Sequence, residues 1–361
     1  MYMYLILVFV FAAVFFGNII AISAKKSRIS KILYVCLLAC MIIIASSQTF
    51  NNDYNAYRSY YYLSGQHILS GVEIGFEGLA FFANIVIGLT YEQFRTAFFI
   101  LMFVILGIYI WKLSERPNFV LILYFILFFS VNITQIRSGM SEALIIAGLY
   151  YLRENKAFSY IFAIVLASLF HVASLFFLLF AMLLFETPRN WLKYNKIIII
   201  SAAVVLLIIL RVVGTAIPAV VRIITYLLGN DYRASANFVE YAGNHYLKYL
   251  PVPALILFAY YMIRNSGVWN EKYELFELMS YIILIIYPFF TINRQLSRIS
   301  RTSVIIALIS FTSFVLIRSS KQMRFLLVFT VFIGFVFYSL SAYTTCLEPL
   351  LHDTVLAYIF S

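Results

Sequence analysis

Long apolar runs alternate with short polar breaks along the chain. They fall at about 3–23, 32–48, 94–111, 118–133, 138–152, 197–213, 251–264, 275–292, 302–317 and 325–341. About 20 apolar residues wound as a helix match the ~30 Å hydrocarbon core of a bilayer, and a helix satisfies its own backbone groups in lipid. The pattern predicts an all-α polytopic integral membrane protein, with residues 1–361 forming a single transmembrane domain. The opening run lacks a basic leader and reads as a first span, not as a secretory signal. The longest stretch that is not plainly spanning is about 214–250.

Two segments depart from the simple count. Residues 75–89, "GFEGLAFFANIVIGL", make only ~22 Å of helix. They read as an interfacial or re-entrant helix on the outer side. Residues 157–185 carry basic breaks at both ends. They read as two short half-helices meeting near His171, a hairpin dipping through the membrane. The total is then about twelve crossings.

Composition agrees with this reading. The chain is 64% hydrophobic and 11% charged, where a soluble domain carries ~25% charged residues. Its formal net charge is +11, yet no basic stripe with interleaved aromatics marks a nucleic-acid partner. The compact basic breaks at 25–31, 111–117, 152–156, 188–196, 264–272 and 318–324 belong in the cytoplasm by the positive-inside rule. That orientation puts 9 Lys and 7 Arg inside, against 9 Arg and the single Lys248 outside. Arg recognises phosphate or carboxylate bidentately and does not lose its proton. An Arg-rich, Lys-poor outer face therefore points to an anionic ligand. Snorkelling to lipid phosphates is the plainer alternative for any one Arg.

Four constellations carry candidate chemistry. The first outer loop holds Asp53, Tyr54, Tyr57 and Arg58, followed by Glu73 and Glu77. Aromatic faces and carboxylates suit sugars, although Tyr also forms interfacial belts. In the second, "NITQIRSGMSEALIIAG", Gln135 and Arg137 sit at an outer turn before a helix opened by Ser138, Gly139 and Ser141. A helix N-terminus of this kind suits an anion. The competing role is a structural Arg137–Glu142 pair. The third is His171 in a wholly apolar run, either a general base or a neutral histidine bonded between helices. No second His or Cys at ligand spacing accompanies it, so no metal or cofactor is expected. The fourth is "NRQLSRISR", where Arg294, Arg298 and Arg301 share a face if helical. The loop 214–250 adds Arg222 and Arg233.

The ordered set "DYNAY", "EIGFEGL", "QIRSGMSEAL", "LASLFHVASLF" and "LSRIS" resembles the EpsG-like family of Wzy-type polysaccharide polymerases. "QIR" followed by "LFH" about thirty residues on is the specific part. Two segments depart from the family pattern. "QIRS" stands where "QIRQ" is common, and "EIGFEG" replaces a Glu-Pro-Gly-Phe segment, leaving Glu73 and Glu77 both eligible as the family carboxylate.

The resemblance implies a GT-C-like membrane glycosyltransferase in the bacterial cytoplasmic membrane, with its site facing outward. Such enzymes join oligosaccharide repeat units carried on undecaprenyl pyrophosphate, without a metal. It implies a lipid-linked donor and acceptor as partners, with membrane lipids and the chain-length regulator and flippase of the same pathway. Under this reading Arg137 binds the pyrophosphate, helped by Arg298. Arg294, Arg222 and Arg233 are weaker candidates. His171 acts as base or orients the acceptor, while Asp53 and Glu77 hold sugar hydroxyls. The outer loops 49–93 and 214–250 contribute to the substrate site. A glycan ligase, a membrane O-acyltransferase using His171, and a lipid-linked oligosaccharide flippase are the alternatives. The almost uniformly apolar inner halves of the spans count against the flippase.

Overall fold

The computed structural model describes residues 12–18, 27–48, 53–66, 72–210, 251–265, 271–288 and 298–318. Every regular element among them is helical, and no strand occurs among the described residues. The expected spans 3–23 (apart from 12–18) and 325–341, and the loop 214–250, lie outside them. Backbone proximity divides the chain into two compact units, one of residues 1–175, 308–319 and 332–361, the other of residues 176–307 and 320–331.

The first unit is built from α1 (Arg28–Ser47), α2 (Tyr54–Gly65), α3 (Ile74–Phe81) with its π-helical extension Phe82–Ile87, α4 (Tyr91–Leu113), α5 (Pro117–Leu127), α6 (Phe129–Thr134), α7 (Ile136–Arg153) and α8 (Ala157–Phe170). Local sequence sets several of these ends. The Ser27 hydroxyl accepts from the Ser30 N–H and starts α1. Thr90 and Gln93 form a reciprocal capping box at α4. Pro117 occupies the first turn of α5, where its missing N–H costs nothing. Gly88, at φ 77°, stops the π-helical turn in a conformation that side chains resist.

Contacts at three helix pairs fix the relative directions of the helices. The Tyr34 hydroxyl donates to the Gly107 carbonyl at 2.7 Å, and Arg95 Nη1 donates to the Ser46 carbonyl at 3.3 Å, so α1 and α4 run antiparallel. Gly139 packs on Met102, and the Tyr109 and Tyr151 hydroxyls meet at 2.5 Å, so α4 and α7 run parallel. Gly148 packs on Tyr160, Ala163 and Ile164, which brings α8 back along α7. Small residues at these crossings let backbones approach, the packing that drives helix association in lipid. α4 buries Phe98, Phe99, Met102 and Phe103 and exposes Ile100, Leu101, Val104 and Ile108. An apolar exposed face of that kind suits lipid.

The same contacts gather the basic breaks. Asn118 donates to Asn18 Oδ1 and to the Ser30 carbonyl, and Ser30 Oγ donates to Asn118 Oδ1, in a buried junction near one end. Arg153 caps the carbonyls of Lys112 and Leu113. Residues 27–31 of the first basic break and segments 111–117 and 152–156 thus share one end of the first unit, as the charge pattern predicts. α2, α3 and the turn at Gln135 occupy the opposite end.

The remaining described elements are a 3₁₀-helix (Val172–Leu184), α9 (Glu186–Tyr194), α10 (Lys196–Leu210), α11 (Pro251–Asn265), α12 (Glu271–Ile286) and α13 (Arg298–Arg318). In the second unit Arg189 and Lys193 pair with Glu274, and Lys196 and Arg264 pair with Glu277. These pairs bring the basic breaks 188–196 and 264–272 together, consistent with their assignment to one side.

Among the described residues, two helices are long and apolar enough to cross a membrane, Arg28–Ser47 and Tyr91–Leu113. The bent pair Val172–Leu184 and Glu186–Tyr194, meeting at 98°, would make a third. The break expected within 157–185 is present, because α8 ends at Phe170 and a new helix starts at Val172. That second half is 3₁₀ rather than α. Its thirteen residues extend ~26 Å at about 2.0 Å each.

Candidate functional site

Arg137, Glu73 and His171 converge at the end of the first unit opposite the basic breaks. The turn at Gln135 places Arg137. Asn132 Nδ2 donates to Glu142 Oε1 at 2.6 Å. On a straight helix ten residues span ~15 Å, so this contact requires the chain to double back between α6 and α7. The arginine therefore emerges at the tip of a helical reversal, in the first turn of α7.

Glu73 is the N-cap residue of α3, with extended φ and ψ of −65° and 138°. Its carbonyl starts the helix by accepting from the Phe76 and Glu77 N–H groups. The side chain lies outside the helical barrel and reaches Arg137 Nη1 through Oε2 in a close ion pair. Its other oxygen, Oε1, meets His171 Nδ1 at 3.3 Å. An ionised carboxylate only accepts, so Nδ1 carries the proton, and in the neutral ring the lone pair is then on Nε2.

His171 is the residue on which α8 stops. Its φ of −158° and ψ of 110° are extended, and its N–H still bonds to the Ala167 carbonyl. The imidazole is 5% exposed while the Glu73 and Arg137 side chains are each 23% exposed. The imidazole is thus buried behind a carboxylate and a guanidinium that are open to solvent.

Tyr57 completes the group from α2. Its hydroxyl accepts from Arg137 Nε at 3.4 Å, and its ring lies under the guanidinium at 5.5 Å. Ring stacking, the Nε contact and the carboxylate fix the plane of the guanidinium. Its Nη2 edge makes no bond to the described residues.

Tyr54, one turn earlier, faces another way. It donates to Glu92 at 3.1 Å, and its ring lies 5.3 Å from the Arg95 guanidinium. Burial and the bond to Glu92 raise the Tyr54 pKa above the usual phenol value. α2 thus links two arginines, Arg137 through Tyr57 and Arg95 through Tyr54.

The expected residues sort as follows. Arg137, His171, Glu73 and Tyr57 come together. Asp53 precedes α2, where its carbonyl accepts from the Tyr57 N–H at 2.9 Å. Gln135 caps α7, and its carbonyl accepts from the Gly139 N–H at 3.0 Å. Glu77, half-buried in the first turn of α3, does not pair with Arg137, whose carboxylate partner is Glu73. Arg298 heads α13 and its side chain is outside the described positions; Arg301, in the same helix, is buried. Arg222, Arg233 and Arg294 lie outside the described residues.

One expectation is corrected. The structural alternative for Arg137, a pair with Glu142, does not form. Five residues along a helix turn the side chain by ~140°, so the two point apart. Glu142 is buried against Asn132, which also donates to the Tyr124 hydroxyl at 2.6 Å. The small residues that open α7 also serve packing: a Cβ on Gly139 would lie 2.8 Å from Met102 Sδ and 2.9 Å from the Asn132 carbonyl. The Ser141 hydroxyl is committed to that of Ser174. Sequence reading passed over Ser174, Asn132 and Gly75. Ser174 sits three residues after His171, and this spacing was the available signal.

A chain of apolar helices with a partly open Arg–Glu–His cluster at one end of a helical unit is consistent with the class of helical membrane proteins. The EpsG family profile matches residues 31–359, nearly the whole chain, and the protein belongs to that family. EpsG-like proteins are Wzy-type polymerase-like proteins of polysaccharide biosynthesis. No curated protein and no solved structure matches the chain significantly.

Proposed function

We propose that the protein is a glycosyltransferase that polymerises undecaprenyl-pyrophosphate-linked oligosaccharide repeat units on the outer face of the bacterial cytoplasmic membrane. The observation that carries this reading is the single carboxylate of Glu73, shared between Arg137 and His171. It joins a guanidinium that can bind an anion to an imidazole that can accept a proton.

In this proposal the acceptor sugar hydroxyl attacks the anomeric carbon of the donor. The new glycosidic bond forms as the bond to the lipid pyrophosphate breaks, and the pyrophosphate leaves with the electron pair. His171 Nε2 takes the hydroxyl proton, while Glu73 holds the ring and stabilises the imidazolium. Arg137 offers its Nη2 edge to the charge that develops on the leaving group, a fixed cation that needs no reorganisation. The step is metal-independent in this scheme. Asp53 extends the acceptor side, and Arg298, Arg294, Arg222 and Arg233 belong to the donor side.

About twelve crossings, a GT-C-like class and one membrane-embedded domain complete the proposal. The lipid-linked donor and acceptor are the substrates, and the pathway's flippase and chain-length regulator are the partners.

The test is a gel of surface glycan from cells lacking the gene, complemented with wild type or Arg137→Ala at equal membrane abundance. A ladder with wild type and single repeat units with the variant are the expected results. A full-length ladder without the gene refutes polymerisation and favours acyl transfer or export.

A further inference from the structure

We propose that Ser141 and Ser174 form a positioning pair that, with Gly75, holds the His171 imidazole against Glu73. The inference rests on the polymerase reading only for its kinetic test. His171 lies where one helix ends and another begins. Its own φ and ψ belong to neither, so no continuous helical ladder fixes the direction of its side chain. Something else must set it.

Two contacts do so from opposite sides. On one side, the Ser174 N–H bonds back to the His171 carbonyl at 2.9 Å, and the Ser174 hydroxyl meets that of Ser141. Ser141 follows Arg137 by four residues, one turn along the same face of α7. Ser174 follows His171 by three, and its N–H bond to the His171 carbonyl holds it close to the histidine in the chain's turn. The two serines therefore repeat, one layer deeper, the approach that Arg137 and His171 make through Glu73. Both are buried, at 1% and 3% exposure.

On the other side, Gly75 lies two residues after Glu73 and touches Leu169, two residues before His171. A Cβ at position 75 would stand 2.7 Å from the Leu169 carbonyl oxygen and 2.9 Å from its carbon. These are backbone atoms, which cannot rotate away. The closeness of α3 to the end of α8 depends on that missing Cβ. Gly78, one turn later in the same helix, has open space where a Cβ would go. It is the internal control.

The experiment uses full-length protein in detergent, with ¹⁵N-labelled histidine and the His171 signals assigned by their loss in His171→Gln. Ser174→Ala, Ser141→Ala and Gly75→Ala are each expected to move or broaden the His171 ring signals. Ser174→Thr, which keeps a hydroxyl, and Gly78→Ala should leave them in place. In parallel, turnover is measured on lipid-linked oligosaccharide extracted from cells lacking the gene. The first three variants are expected to lose on the order of a hundredfold in kcat, with KM nearly unchanged and a displaced pH profile. Ser174→Thr should recover most of the loss.

Unmoved His171 signals in Ser174→Ala and Gly75→Ala overturn the proposal, whatever the activity does. Falling protein yield with unchanged kcat and pH profile in the folded fraction also overturns it, as a merely structural bond. Wild-type protein inactive on the extracted lipid refutes the polymerase reading, while the ring signals still decide the positioning.

Discussion

Replacing Glu73 by Gln keeps the shape of the side chain and removes its charge. The carboxylate serves two donors, Arg137 Nη1 through Oε2 and His171 Nδ1 through Oε1. An amide has one acceptor oxygen, so its NH₂ group must face one of those donors. At least one charge-assisted hydrogen bond is lost, at about 1.5–3 kcal/mol. If that bond acts in the transition state, the loss corresponds to about a tenfold to two-hundredfold fall in rate. Glu77→Gln leaves both contacts intact and is expected to stay within about threefold of wild type, as it removes no partner of Arg137. The assay is rate of chain extension on extracted lipid-linked repeat units at matched protein abundance, backed by the glycan ladder in cells. Full activity in Glu73→Gln together with collapse in Glu77→Gln would refute the reasoning. It would mean that the carboxylate used in turnover is the one inside α3.

Tyr57→Phe removes a long 3.4 Å contact but keeps the ring under Arg137. A loss of less than about fivefold in turnover is expected, against a loss of about tenfold or more for Tyr57→Ala, which also removes the cation–π face. Asn132→Asp places a second carboxylate against buried Glu142, where Asn132 Nδ2 now donates at 2.6 Å. Loss of the donor and like-charge repulsion at that depth should destabilise the fold by several kcal/mol. A drop in the thermal midpoint of the detergent-solubilised protein checks it, and an unchanged midpoint would contradict the buried contact.

Much of this architecture was legible in the sequence. Apolar runs located the helices because a chain in lipid must close its backbone bonds within each segment. Basic breaks located one end of the first unit. Arg137 and His171 stood out because charge and imidazole are costly in apolar surroundings and so need partners. Which partners they take was not legible. Glu73 and Glu77 are four residues apart, and only the start of α3 at Ile74 puts the first outside the helix and the second inside it. The rejection of Glu142 was within reach, since five residues is the wrong phase for a helical pair. Ser174 and Gly75 stayed hidden for another reason. A serine in an apolar run and a glycine in a loop acquire meaning only from what lies across the contact, and that contact joins positions about thirty and ninety residues apart.

The 3₁₀ segment Val172–Leu184 has a consequence for how this chain tolerates insertion and deletion. With three residues per turn, losing one residue from its 176–184 portion turns the adjoining α9 by about 120° against the elements it packs on and draws it in by about 2.0 Å. Downstream of the segment stand Arg189 and Lys193, whose ion pairs with Glu274 depend on the angular phase of α9. The segment is thus a crank as well as a spacer. Its length in residues fixes an orientation, and a single-codon deletion there should be far harsher than one in a loop.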